Sequence, residues 1–177
     1  MTWGCHRTVA FPNASKRGGA VVVELILALP ILITALLTVV QFGYFFVRMQ
    51  QVSLACRVGA EEASQTGGLP TMSGAPIPTN ILDAIDKQLQ SSGISRCRVR
   101  LEHNVAGPQI ALVSPTVGAC NCGPTTNLTT PPPRPYVRLT ICVPLTEVMP
   151  NCLAGFGFDI SDPSKVAEGT TIFRYEI

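Results

Sequence analysis

The sequence predicts an α+β protein: a long N-terminal helix, transmembrane and then amphipathic, followed by a short helix and a small antiparallel sheet of about four strands. Three observations carry this. Residues 20–47 are apolar throughout apart from Glu24 and Gln41, the two strongly polar side chains in the run. Apolar residues then continue at helical spacing to residue 63. From residue 96 onward the periodicity changes to two.

The apolar run is long enough for a bilayer. A hydrocarbon core needs about 20 apolar residues at roughly 1.5 Å rise each, and residues 25–47 provide 23. Beyond it, Phe45, Met49, Val52, Cys56, Gly59 and Ala63 recur at steps of three and four, while Arg48, Gln51, Arg57, Glu61 and Glu62 fall elsewhere. One continuous helix over 20–66 follows. Pro30 does not end it, because membrane helices accommodate proline with a kink. Thr66-Gly67-Gly68 and Pro70 do end it, since glycine permits a left-handed cap and proline resists further winding. A linker rich in Gly, Pro, Ser and Thr occupies 67–79, and a small domain 80–177.

A formal charge of +2 on 177 residues is too small to suggest a nucleic-acid partner. Its distribution is more telling. Residues 1–19 contain Arg7, Lys16 and Arg17 and no acid. By the positive-inside rule this end stays cytoplasmic and everything past Arg48 lies across the membrane. Cys56, Cys97, Cys120, Cys122, Cys142 and Cys152 would then share an oxidising compartment, where an even count favours disulfides.

In the small domain, Asn80 is the expected N-cap of a short helix with Asp83 in its first turn. Its apolar side is Ile81, Leu82, Ile85 and Leu89, and Gly93 is its stop. Cys97, Val99, Leu101, His103 and Val105 alternate with Arg96, Arg98, Arg100, Glu102 and Asn104, the pattern of a half-buried strand. Ala106-Gly107-Pro108 reads as a turn into a second strand at 109–113, making a hairpin. Val137, Leu139, Ile141 and Val143 mark a third strand, and 170–177 a fourth. Residues 114–135 form a long loop, and loops of this length are uncommon unless pinned or mobile. Bridges from Cys120 or Cys122 would pin it, but six cysteines allow many pairings and spacing does not choose among them. Cys142 has the opposite parity to the apolar residues of its strand, which turns it toward the loop.

Catalytic chemistry is not visible in this sequence, so the chain is not expected to be an enzyme. His103 falls on the apolar side of its strand and reads as a packed, hydrogen-bonded histidine. There is no partnered nucleophile and base, no His-rich metal cluster and no Gly-rich phosphate loop. The Cys120-x-Cys122 pair lacks the second close pair usual in metal sites, and redox sites of the thioredoxin kind use Cys-x-x-Cys. No cofactor or metal is expected.

Glu24 discriminates among three readings of the apolar run. A cleaved secretory signal needs an apolar core of about 7 to 15 residues followed by a small-x-small site. This core is longer, and Phe42-Gly43-Tyr44-Phe45-Phe46 offers no such site. A permanent anchor carrying an extracytoplasmic binding domain explains the run but gives Glu24 no purpose, although an acid costs up to about 3 kcal/mol at mid-membrane and less near an end. The third reading counts from Gly19. A chain cut after it would begin at Ala20 with Glu24 as its fifth residue.

That arrangement, glycine then glutamate five positions on, after Lys16-Arg17 and before an apolar run, resembles the processing site of type IV prepilins. Arg17-Gly18-Gly19, Val23-Glu24-Leu25, Leu29-Pro30, Gln41-Phe42-Gly43, Gln50-Gln51-Val52 and Ala55-Cys56-Arg57-Val58-Gly59-Ala60 are similar, in order, to the TadE-like pseudopilins of the tight adherence (Tad) pilus system. The resemblance covers residues 16–66, and Thr171-Ile172-Phe173-Arg174-Tyr175-Glu176 is similar to the family's closing strand. Two features depart from it: Leu25 stands where members often have Phe, and the cysteine content is high.

The resemblance implies a bacterial inner-membrane protein with its N-terminus cytoplasmic. Residues 1–19 would be a leader that a membrane aspartyl prepilin peptidase removes between Gly19 and Ala20. Glu24 would then meet the new ammonium of a neighbouring subunit and set axial register in a filament. The implied partners are that peptidase, other Tad pilins and pseudopilins, the assembly machinery and the lipid bilayer.

Overall fold

The computed structural model describes residues 18–69, 76–105, 109–118, 122, 135–159, 162 and 164–176. They fall in two compact units, Met1–Leu37 and Thr38–Ile177. The architecture is α+β: a long apolar helix, a shorter helix and a four-stranded antiparallel sheet.

Helix α1 (Gly18–Gln65) is continuous for 48 residues with Pro30 inside it. Proline removes one backbone donor from the ladder and tends to kink a helix. Here Thr34 sends its hydroxyl back to the carbonyls of Pro30 at 3.0 Å and Ile31 at 2.9 Å, a back-bonding pattern often seen at helix bends. In the first unit the apolar side chains from Val21 to Leu36 are mostly exposed on all sides. A helix apolar all round and uncovered by protein is suited to lipid or to other helices.

In the second unit, α1 turns one face inward. Val52, Ala55, Cys56, Ala60 and Ala63 are fully buried and belong to the core. The helix ends where Gly68 takes a left-handed φ of +85°. Leu69 and Ile77 are buried on either side of residues 70–75, which lie outside the described set. Helix α2 (Thr79–Gln90) presents Ile81, Ile85 and Leu89 to the core. Its stop is as expected: Gly93 has φ +64° and the Ile94 N–H donates to the Leu89 carbonyl at 3.1 Å. Its start differs. Pro78, not Asn80, holds the N-cap position, and Asn80 donates from its amide to Glu62 Oε1 at 2.8 Å and Thr66 Oγ1 at 3.0 Å. The amide ties the start of α2 to the end of α1 instead of capping its own helix.

The sheet has strand order β2-β1-β3-β4, with β1 Arg98–His103, β2 Ile110–Val113, β3 Tyr136–Pro144 and β4 Val166–Arg174. All neighbours are antiparallel. The β1–β2 hairpin pairs His103 with Ile110 across 106–108, a turn outside the described residues. Registers Val99↔Ile141 and Leu101↔Leu139 stack the apolar residues on the face that meets the helices. Gly59 marks the closest approach, since a Cβ there would lie 2.6 Å from both Ile85 Cγ1 and Leu139 Cδ2.

β4 begins four residues earlier than the expected 170, because Gly169 and Ala167 on its inner face give almost no apolar signal. They are small for a reason. A Cβ at Gly169 would come within 3.0 Å of Cys56 Sγ and Val52 Cγ1. Two elements escaped the periodicity altogether: the one-turn helix α3 (Leu145–Val148) and a 3-10 turn at Ala154–Phe156.

Candidate functional site

The start of α1 carries the processing candidates. Gly19 is exposed in the helix, and a Cβ on it would meet nothing within 4 Å among the described residues. Its backbone is helical with no positive φ. No close approach among the described residues requires a glycine at this first-turn position. Ala20 follows in the same helix, and Glu24 lies one turn further on, exposed and without an ion pair among the described residues. At four residues' separation, positions 20 and 24 share one face about 6 Å apart along the axis. The other polar residue of the run, Gln41, is fully buried, and neither atom of its amide has a hydrogen-bond partner among the described residues.

Where the apolar run ends, Arg48 folds back over Tyr44. Its guanidinium lies 4.8 Å from the ring centroid, its Nε donates to the Tyr44 hydroxyl at 2.7 Å, and its Nη1 donates to the Ser92 carbonyl. Ser92 in turn donates to Gln51 Oε1 at 3.2 Å. An aromatic and an arginine adjoining an apolar span are what a membrane–water boundary selects. The pairing of Arg48 with the end of α2 was not legible, because its partners lie far along the chain.

On the sheet face away from the helices, Cys122 and Cys142 form a disulfide with Cα atoms 6.2 Å apart. Cys142 thus faces the loop, as its parity requires. Cys97 is also disulfide-bonded, and its Sγ lies 3.2 Å from Cys122 Sγ. Cys120 lies outside the described residues. Cys97 precedes the first residue of β1 and packs with Cys122, Cys142 and Val166, not with the apolar row that its alternation suggested. The three sulfurs lie within 4.8 Å of one another, a spacing compatible with a soft metal if they were thiolates. All three are disulfide-bonded, so none is a thiolate.

Two of the cysteines expected to pair are free. Cys56 is buried on the inner face of α1, where its thiol donates to the Gly169 carbonyl at 3.1 Å, and burial pushes its pKa up to about 12. Cys152 is exposed beside the 3-10 turn. A cysteine on a helix face pressed against a strand glycine acts as a small apolar side chain, which an even count cannot reveal. Further along the same sheet face, Arg138 Nη1 meets Glu102 Oε2 at 3.3 Å across the β1–β3 register, with Gln109 Nε2 at 3.3 Å from Glu102 Oε1. His103 is buried on the opposite, apolar face.

Glycine with no structural duty, glutamate one turn later, an apolar run and a docked small-residue face follow one another within residues 19–61. That stretch matches the family model described as TadE-like protein. The match begins at Gly19 and runs past Gly59, so the TadE-like segment includes both the processing candidates and the helix face that meets the sheet. The sheet and α2 lie outside it. Among the described residues, α1 is the helix long and apolar enough to cross a membrane. No curated protein and no solved structure matches the chain.

Proposed function

We propose that this chain is a TadE-like minor pseudopilin, without enzymatic activity of its own, that is inserted in the inner membrane by α1 and matured by a prepilin peptidase. Cleavage between Gly19 and Ala20 creates an ammonium at Ala20. Glu24, one turn on, complements both that charge and the positive end of the helix dipole. In a bundle of such helices each carboxylate meets the ammonium of a neighbour. Either charge alone is costly in an apolar setting, and pairing makes both tolerable while fixing the register of one subunit on the next. The cytoplasmic side holds the basic leader, and the sheet domain faces outward toward other pilus components.

The observation that carries the reading is Gly19. It is a glycine in the first turn of α1, five positions before Glu24 and directly ahead of the apolar run, and a Cβ on it would meet nothing within 4 Å among the described residues. A protease that must draw the scissile backbone into its site has use for a residue without a side chain. N-terminal sequencing of the protein from its native host tests this. Ala20 as the first residue is the expected result, and an intact Met1 would remove the pseudopilin assignment in favour of a permanent anchor. Gly19→Leu is expected to leave the leader attached. Glu24→Ala is expected to insert normally but to lose most co-purification with other pilus subunits. Undiminished co-purification would end the register argument.

A further inference from the structure

We infer that residues 154–158, a compact turn carrying Phe156 and Phe158, sit in the outer lipid interface of the membrane that α1 crosses; this rests on the membrane-spanning reading of α1.

The direction of β4 places the two ends of the segment that carries the turn. Gly169 lies against Val52 and Cys56, whereas the Glu176 N–H donates to the Ser64 carbonyl at 3.3 Å and the Tyr175 hydroxyl to the Thr66 carbonyl at 3.1 Å. β4 therefore runs the same way as α1, and its first residue, Val166, is its end nearest the apolar run. Three strand residues before Gly169 span about 10 Å, equal to about six or seven helix residues, which brings Val166 to about the level of Arg48. The chain between β3 and β4 leaves and returns at that level, joined by the Leu145 N–H donating to the Lys165 carbonyl at 2.9 Å. This is where Tyr44 and Arg48 mark the end of the span.

The turn is built to enter a region poor in water. Val148, Met149 and Leu153 are buried and hold its base, while Phe156 and Phe158 are 46% and 62% exposed. Consecutive backbone N–H groups are satisfied internally: Phe156 to the Leu153 carbonyl at 3.0 Å, Gly157 to Ala154 at 3.0 Å and Phe158 to Leu153 at 3.2 Å. Gly157, at φ +82°, makes the reversal that turns both rings outward from one short segment. A segment whose donors are already bonded meets the requirement that lipid imposes on backbone. The flanking acids are engaged with the protein. Asp159 accepts from Asn151 at 2.8 Å, and Asp162 accepts from the Ser164 N–H at 2.8 Å and hydroxyl at 2.7 Å, which holds its carboxyl below the usual range. Attachment is thus apolar and needs no anionic lipid. A subunit with this turn in lipid has the base of its sheet domain held at the bilayer surface, and leaving the membrane for a filament means withdrawing both rings.

The test places one tryptophan at a time in the full chain, in a Trp3→Phe background, reconstituted in phosphatidylcholine vesicles with brominated acyl chains. Phe158→Trp is expected to lose most of its emission to lipid brominated near the headgroup and little to lipid brominated at the chain ends, with the same response when anionic lipid is added. Val39→Trp, inside the span, is the control and is expected to be quenched by the deep bromines. Quenching at position 39 without quenching at position 158 overturns the proposal and leaves the spanning helix standing. No quenching at either position overturns both. If the indole of the Phe158→Trp variant is shielded from an aqueous quencher but untouched by bromine, and the shielding grows with the protein-to-lipid ratio, the turn contacts a second copy and the proposal falls. Phe156→Trp is read in the same way, so no single variant carries the result.

Discussion

Helix α1 contains two stretches that obey opposite rules. Between Val21 and Val40 nearly every apolar side chain is exposed, and no face is set apart by size. Between Val52 and Ala63 the buried positions are small, and one face of the helix is pressed against α2 and the sheet. The glycines Gly43, inside the span, and Gly59, after it, show the difference. Gly43 has nothing within 4 Å of a would-be Cβ, whereas Gly59 has Ile85 and Leu139 side-chain atoms at 2.6 Å. The lesson is that apolar character alone does not say what a helix meets. Side-chain volume along one face does.

The sharpest way to break the contrast is to exchange volume at these positions. Gly59→Leu is expected to cost about 3 kcal/mol or more and to unfold the outer domain, because the clash involves two buried side chains and a facing strand. Gly43→Leu is expected to cost nothing and to gain at most about 1 kcal/mol from helix propensity, read by thermal unfolding in micelles. Equal losses at the two glycines would mean that the span around Gly43 is also packed against protein.

Next in size is an alkaline effect confined to the second stretch. An unfolded thiol ionises at about 8.5, whereas Cys56 in the fold is pushed up to about 12 by burial. Below the lower value both states keep the proton and stability is unaffected. Between the two only the unfolded chain loses it, so stability falls by about 1.4 kcal/mol per pH unit and levels off above the higher value. Urea midpoints across this window check the slope, and Cys56→Ala is expected to flatten it. In the native state iodoacetamide should label Cys152 readily and Cys56 only on unfolding.

A smaller effect is expected at Gln41, whose buried amide finds no partner among the described residues. Gln41→Leu keeps the volume and removes an unsatisfied polar group, for a gain of about 1 to 2 kcal/mol by thermal unfolding in micelles. A loss there would show that the amide is bonded after all. The smallest effect is Gly43→Ala, a helix-propensity gain of about 1 kcal/mol or less.

The helical elements were legible where one signal dominated. The continuous apolar run, the left-handed glycines Gly68 and Gly93, and the period-two rows of β1 and β3 all follow from local physics. α3 and the 3-10 turn were not, because a single turn has no periodicity to detect. Asn80 misled for a related reason: a capping residue type can make a longer-range bond instead, and Glu62 and Thr66 are reachable only once α2 lies beside α1. Of the candidate site, Gly19, Ala20 and Glu24 were visible by spacing, and the TadE-like match at 19–61 begins at the first of them. Cys56 could not be separated from the bridging cysteines by counting.

The sequence by itself determined the long helix, the change along it from an all-apolar run to a one-faced pattern, the charge pattern around it and the sheet that follows, since each is set by neighbours a few residues apart. Only the tertiary structure decided which sulfurs meet, why Gly59 and Gly169 are glycines, that Arg138 answers Glu102, and that the Cys56 thiol is held against Gly169. Those depend on strand register and on the direction of β4 along α1, which bring together residues more than a hundred positions apart.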